Sequence, residues 1–136
     1  MTSMLHKSKL VPAFFLAMLG ALPVAFSGCA TITAAGDGIV LIDGRTLAKK
    51  VDVADLQSAT TETGTRKVWT TIRNKGKAPL ALEARAVFRG EQGQPIEPEP
   101  AWRQVFVQPR TSIAFDGLSM SRNAKEATVE IRMGNQ

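Results

Sequence analysis

The sequence predicts an all-β protein: an immunoglobulin-like antiparallel β-sandwich preceded by a cleaved signal helix and a short tether. Three observations predict it. Apolar and polar residues alternate at period two over several short runs, as half-buried strands require. Turn residues separate these runs at roughly 8–15-residue intervals, the spacing of a sandwich rather than of strands joined by helices. The one long apolar stretch lies near the N-terminus and leads into the only cysteine, Cys29.

The N-terminal region reads in the order of a secretory signal. His6, Lys7 and Lys9 form a basic start, Leu10 to Phe26 is the apolar centre, and no residue from Leu10 to Gly36 is charged. Pro12 and Pro23 interrupt the stretch, which argues against an undisturbed spanning helix. The closing run Phe26-Ser27-Gly28-Cys29 resembles a bacterial lipoprotein signal, in which the cysteine is acylated and becomes the new N-terminus. That resemblance implies cleavage after residue 28 and lipid attachment at Cys29. Two or more acyl chains anchor a protein stably, each buried methylene contributing about 0.8 kcal/mol. Ala30 follows the cysteine where inner-membrane retention favours aspartate, so the expected location is the outer membrane, lipid-anchored on its periplasmic face.

Three segments follow: a signal peptide at 1–28, a lipidated N-terminus and tether at 29–38, and a sandwich domain at 39–136. The mature chain keeps 108 residues, enough for one domain and too few for two. It carries 15 Lys and Arg against 12 Asp and Glu, a formal +3, which gives no reason to expect a nucleic-acid partner. With Cys29 acylated no disulfide forms, and packing alone must hold the fold.

Within the domain, Ile39 to Ile42 is a short apolar run closed by Asp43-Gly44, and Val51 and Val53 flank Asp52. Val68, Thr70 and Ile72 face one way while Trp69, Thr71 and Arg73 face the other. Asn74 to Pro79 is a turn, read as the tip of a hairpin. Leu80, Leu82, Ala84, Ala86 and Phe88 then alternate in the clearest amphipathic strand, which ends at a glycine turn. Pro95, Pro98 and Pro100 exclude Gln94 to Ala101 from any central strand. Trp102 to Val107, the run around Ile113 and Phe115, and Ala127 to Met133 supply the remaining strands; Ser121 to Glu126 is the one stretch suited to a helical turn.

From Trp69 to Met133 the chain resembles the YcfL-like periplasmic lipoproteins, an uncharacterised family. The residues that carry the resemblance are Arg73-Asn74 before a turn, Pro79-Leu80 opening a strand that contains Arg85, the turn Glu91-Gln92-Gly93, then Trp102, Pro109 and the closing Ile131-Arg132. These are turn and packing signatures. The resemblance implies an immunoglobulin-like sandwich and names no activity.

The residue inventory excludes most chemistry. The mature chain has no histidine, no tyrosine and no free thiol, so a Ser-His-Asp or Cys-His arrangement lacks its base. Zinc or copper sites built on His and Cys are excluded likewise, and Met120 and Met133 alone do not make a copper site. Glu97 and Glu99 lie among prolines as solvated loop residues, and Asp37, Asp43, Asp52 and Asp55 lack calcium-loop spacing. No enzyme activity, metal or cofactor is expected.

Binding surfaces remain. Arg73, Lys75 and Lys77, with Arg66-Lys67 before them and Arg85 and Arg89 beyond, gather basic charge that suits an anionic partner. A solvated rim guarded by lysines explains the same residues and is the simpler reading. Trp69 and Trp102 are either core packing or recognition anchors. The expected function is a non-enzymatic protein-binding or assembly module of the cell envelope, held to the membrane by its lipid and meeting an envelope protein. The alternative is a lipoprotein holding an envelope glycan or a peptidoglycan fragment, with Trp102 beside Gln104.

Overall fold

A computed structural model describes residues 38–42 and 44–135. The expected signal, Cys29 and all of the tether but Gly38 lie outside the described residues. The elements are β1 (Gly38–Leu41), α1 (Gly44–Lys50), β2 (Val51–Val53), β3 (Gln57–Thr60), β4 (Arg66–Asn74), β5 (Leu80–Arg89), β6 (Arg103–Val107), β7 (Ser112–Leu118) and β8 (Glu126–Met133).

The alternation of β4, β5 and β8 decides the architecture. Val68, Thr70 and Ile72 of β4 are buried, as are Leu82, Ala84, Ala86 and Phe88 of β5 and Ala127, Val129 and Ile131 of β8. Each fully buried leucine, isoleucine or phenylalanine contributes about 1.5–3 kcal/mol, so two such faces turned together make the core of a two-sheet β-sandwich. One sheet runs β1-β8-β5-β6. In the other, β4 is central, with β7 along one side and β2 and β3 in succession along the other.

Three features depart from the sequence expectation. The sheets are antiparallel except for β1, which pairs parallel to β8 with Ile39 opposite Val129. Among the described residues the helix is α1, which plugs one end of the sandwich with the fully buried Leu47, whereas Ser121 to Lys125 forms an irregular turn and Glu126 already opens β8. The Lys125 N–H that a helix would aim at the Ser121 carbonyl donates instead to the Arg89 carbonyl at 2.9 Å. Ser119 ties the turn to β4, its hydroxyl accepting from the Arg66 N–H at 2.9 Å and donating to the Ser121 carbonyl at 2.8 Å.

The third departure is that Asn74 to Pro79 joins the two sheets and is no hairpin. Buried Asn74 holds the crossover. Its Nδ2 donates to the carbonyls of Ala78 (2.8 Å) and of Val107 in the opposite sheet (3.0 Å), and its Oδ1 accepts from the Gly76 N–H (2.8 Å). Arg85 and Arg89 therefore do not extend the basic strand β4; they belong to the other sheet.

Candidate functional site

Sheet edges decide what a sandwich offers to a partner, because an edge strand leaves a row of backbone donors and acceptors open. Short length, lysines, prolines or a covering loop ordinarily blunt such edges. Here β1, β2 and β3 are edges of three or four residues. The half of β5 that β6 does not reach is covered by the proline-rich segment, anchored by the Arg89–Pro95 bridge. The exception is β7, with seven residues, Ser-Ile-Ala-Phe-Asp-Gly-Leu, and no Lys, Arg or Pro.

β7 and β6 are the neighbouring free edges of opposite sheets, so the sandwich is open between them. Two clefts lie in this opening. One, of about 420 Å³, is lined by Val105, Phe106, Ile113 and Phe115 among others. The second, about 450 Å³, lies between Ala86 and Phe88 of β5, Pro100 and Ala101, and Gly117 and Leu118 of β7. Arg103 lines both and separates them: its guanidinium sits 4.3 Å from the Phe115 ring centroid and donates to the Asp116 carbonyl. Four large apolar side chains are exposed along this edge and the loop after it: Phe106 (62%), Ile113 (38%), Leu118 (57%) and Met120 (87%).

The Asp116 carbonyl identifies which backbone groups are open. It turns toward Arg103, away from β4, and alternate residues of an antiparallel strand present both N–H and C=O to the same side. Ala114 and Ser112 thus present their amides to the free edge, while Thr111 faces inward and accepts from the Asn74 N–H at 2.9 Å.

Trp102 lies elsewhere, on the outer face of the β1-β8-β5-β6 sheet. The guanidinium carbons of Arg85 and Arg132 lie 4.4 and 4.1 Å from its ring centroid. Arg85 in turn meets Glu130 at 2.7 Å and Glu99 at 3.0 Å, and Arg132 meets Glu83 at 2.6 Å. Burial opposes the charge of Arg85, yet its bonds to Glu130 and Glu99 prevail and raise its pKa above the ordinary guanidinium value. The network straps the proline-rich segment onto the sheet and sets two guanidiniums against the partly buried Trp102 ring.

The structure therefore separates Trp102 from Arg73, Lys75 and Lys77. Arg73 is exposed on the outer face of the β4 sheet, opposite Asp52 of β2. The Lys75 ammonium is held by Asp52 (3.2 Å) and by the Ala48 carbonyl (2.7 Å), and Lys77 is exposed in the crossover. Trp69 is 39% exposed beside Asp116 of β7. The exposed apolar edge escaped the sequence reading, because Ile113 and Phe115 share one face of β7 yet only Phe115 is covered. The absence of any Lys, Arg or Pro from β7 was the signal available.

Comparison with known proteins places this fold. Residues 38–133 match the model of a protein family of unknown function, DUF1425. The chain belongs to the DUF1425 family. A crystal structure of a DUF1425 member from Shewanella sp. pv-4 superposes with a TM-score of 0.57 at 20% identity, covering 63% of this chain and 80% of that one. The crystal structure of Campylobacter jejuni cj0090 superposes with a TM-score of 0.52 at 10% identity, covering 60% of this chain and 85% of that one. At these identities both likenesses concern the fold. No match was found among the curated proteins. The DUF1425 match spans β1 to β8, so the open β6–β7 edge and the Arg85–Trp102–Arg132 network both lie inside it.

Proposed function

We propose that this protein is a non-enzymatic binding module of the cell envelope. It is a YcfL-like lipoprotein, held at the periplasmic face of the outer membrane through Cys29, that takes up an extended segment of an envelope protein along β7. One observation carries the proposal: the longest edge strand carries no Lys, Arg or Pro and gathers the exposed apolar side chains Ile113 and Leu118, with Phe106 and Met120 beside it. An added strand gains main-chain hydrogen bonds from such an edge, and flanking pockets take its alternate side chains. The clefts on either side of Arg103 supply the pockets. A protein ligand is favoured over a sugar because the Trp102 ring is engaged by Arg85 and Arg132.

A photo-crosslinking residue at Leu118, in cells, tests the edge. The expected result is a protein adduct that Ala114→Pro abolishes, since proline removes an open-edge N–H and spares the ladder to β4. Adducts that survive Ala114→Pro, or that form equally from Ser58 on β3, overturn the assignment. Anchoring is tested separately: Cys29→Ser is expected to abolish acyl labelling and release the protein from membrane fractions, and retained labelling refutes it.

A further inference from the structure

The fold assembles a basic pole from three chain segments distant in sequence. The end of α1 carries Lys49 and Lys50, the end of β4 and the crossover carry Arg73, Lys75 and Lys77, and the β6–β7 turn carries Arg110. Two main-chain bonds and one from a side chain knit them together. The Lys75 N–H donates to the Lys50 carbonyl (2.9 Å), the Asn74 N–H to the Thr111 carbonyl (2.9 Å), and the Asn74 side chain to Val107 (3.0 Å). Among the described residues of α1, the crossover and that turn, together with Val51 and Asp52, the one carboxylate is Asp52, already engaged by Lys75. Lys49, Lys50, Arg73, Lys77 and Arg110 are exposed and form no ion pair among the described residues. The other end of the sandwich is mixed: Glu62, Glu91 and Glu126 stand there with Arg89, Arg122 and Lys125.

Arg110 adds an independent sign. It occupies the left-handed region at φ 61, a conformation that disfavours side chains and ordinarily selects glycine. A charged side chain held in strain at an exposed turn points toward a binding role.

Orientation selects the partner. Gly38 pairs with Thr128 near the start of β8, and β1 runs from there toward α1, so the chain enters the domain at the end remote from the pole. With the lipid at Cys29, the anchor would join the domain at the end opposite the pole, leaving the pole to meet the wall. We infer that it binds the carboxylates of peptidoglycan. The identity of this polymer rests on the anchored periplasmic reading, and the site is independent of the β7 edge.

The test is cosedimentation of the full-length lipidated protein, in non-ionic detergent, with purified peptidoglycan sacculi. Binding is expected to fall at least tenfold in the variant Lys49→Gln, Lys50→Gln, Arg73→Gln and Lys77→Gln. It should fall similarly with sacculi whose carboxylates have been amidated, and weaken as salt rises, because exposed charges are screened beyond about 10 Å at 0.1 M. Arg122→Gln with Lys125→Gln should leave it unchanged. If the fourfold variant unfolds at a lower temperature than the wild type, Lys77→Gln with Arg110→Gly replaces it in the same assay. Undiminished binding by the pole variant, or to amidated sacculi, overturns the inference. Displacement by micelles containing phosphatidylglycerol also overturns it, in favour of a lipid headgroup. Ala114→Pro and the acyl-labelling assay on Cys29→Ser report on the other two readings, so each can fail alone.

Discussion

Gly117 of β7 faces Ala86 of β5 across the sandwich so closely that a Cβ on the glycine would collide with the alanine methyl. This is where the two sheets approach next to the open edge, and the glycine is needed for space alone. Gly117→Val is expected to cost about 1–3 kcal/mol through overpacking, read from urea unfolding. Gly117→Ala combined with Ala86→Gly should recover part of the cost of Gly117→Ala, because the two positions share one volume. A double variant no better than the single one would place the strain elsewhere.

Asn74 makes a second prediction. Removing its side chain strands the buried carbonyl of Val107 and the partners at Ala78 and Gly76. Asn74→Ala should cost about 1–3 kcal/mol, the penalty of leaving a buried polar group unpaired. Asn74→Asp keeps the acceptor for Gly76 but loses both donors, so it should fall in the same range. A variant as stable as the wild type by chemical denaturation would show that the crossover is held by its backbone.

The same residue shows how far the sequence could be read. β4 and β5 are legible because one face of each is buried along most of its length, which writes period two into the chain. β3 is exposed at all four residues and α1 buries Leu47 alone, so neither leaves a pattern. The turn from Asn74 to Pro79 has the composition of a hairpin tip. It is a crossover because β4 and β5 pair in different sheets, and Asn74 bonds across to Val107, thirty-three residues away, which local composition does not encode. The basic pole was half legible for the same reason: Arg73, Lys75 and Lys77 are neighbours in sequence, whereas Lys49, Lys50 and Arg110 join them only through the fold.

The Arg85–Glu130 pair supplies a third prediction. Both side chains are largely covered, and their 2.7 Å contact directly spans β5 and β8. Arg85→Met should cost about 1.5–3 kcal/mol, the worth of a hydrogen bond to a charged group. A double-mutant cycle with Glu130→Gln should show coupling above about 0.5 kcal/mol, and additive losses would refute it. The raised pKa of Arg85 gives stability that is fully present below the ordinary guanidinium pKa and lost only as pH climbs through the raised one. Titration of Arg85 therefore contributes no slope to stability between about pH 6 and 10.

Arg110 allows backbone strain and binding to be measured apart. It follows Pro109 in a turn closed by the Thr111 N–H on the Gln108 carbonyl at 3.2 Å, and its φ of 61 is the geometry that glycine adopts freely. A non-glycine residue there costs about 1–2 kcal/mol, while glycine costs about 0.4–1 kcal/mol through the unfolded chain. Arg110→Gly should thus leave stability unchanged or raise it slightly. Arg110→Ala, which keeps the strain, should be less stable than Arg110→Gly by up to about 1 kcal/mol in urea unfolding. Both substitutions remove one charge from the basic pole, so both should weaken sacculus binding to a similar degree. Equal stabilities for the two variants would show that the turn relaxes around alanine. A binding loss confined to Arg110→Gly would trace the effect to the backbone, and the guanidinium would then have no part in the site.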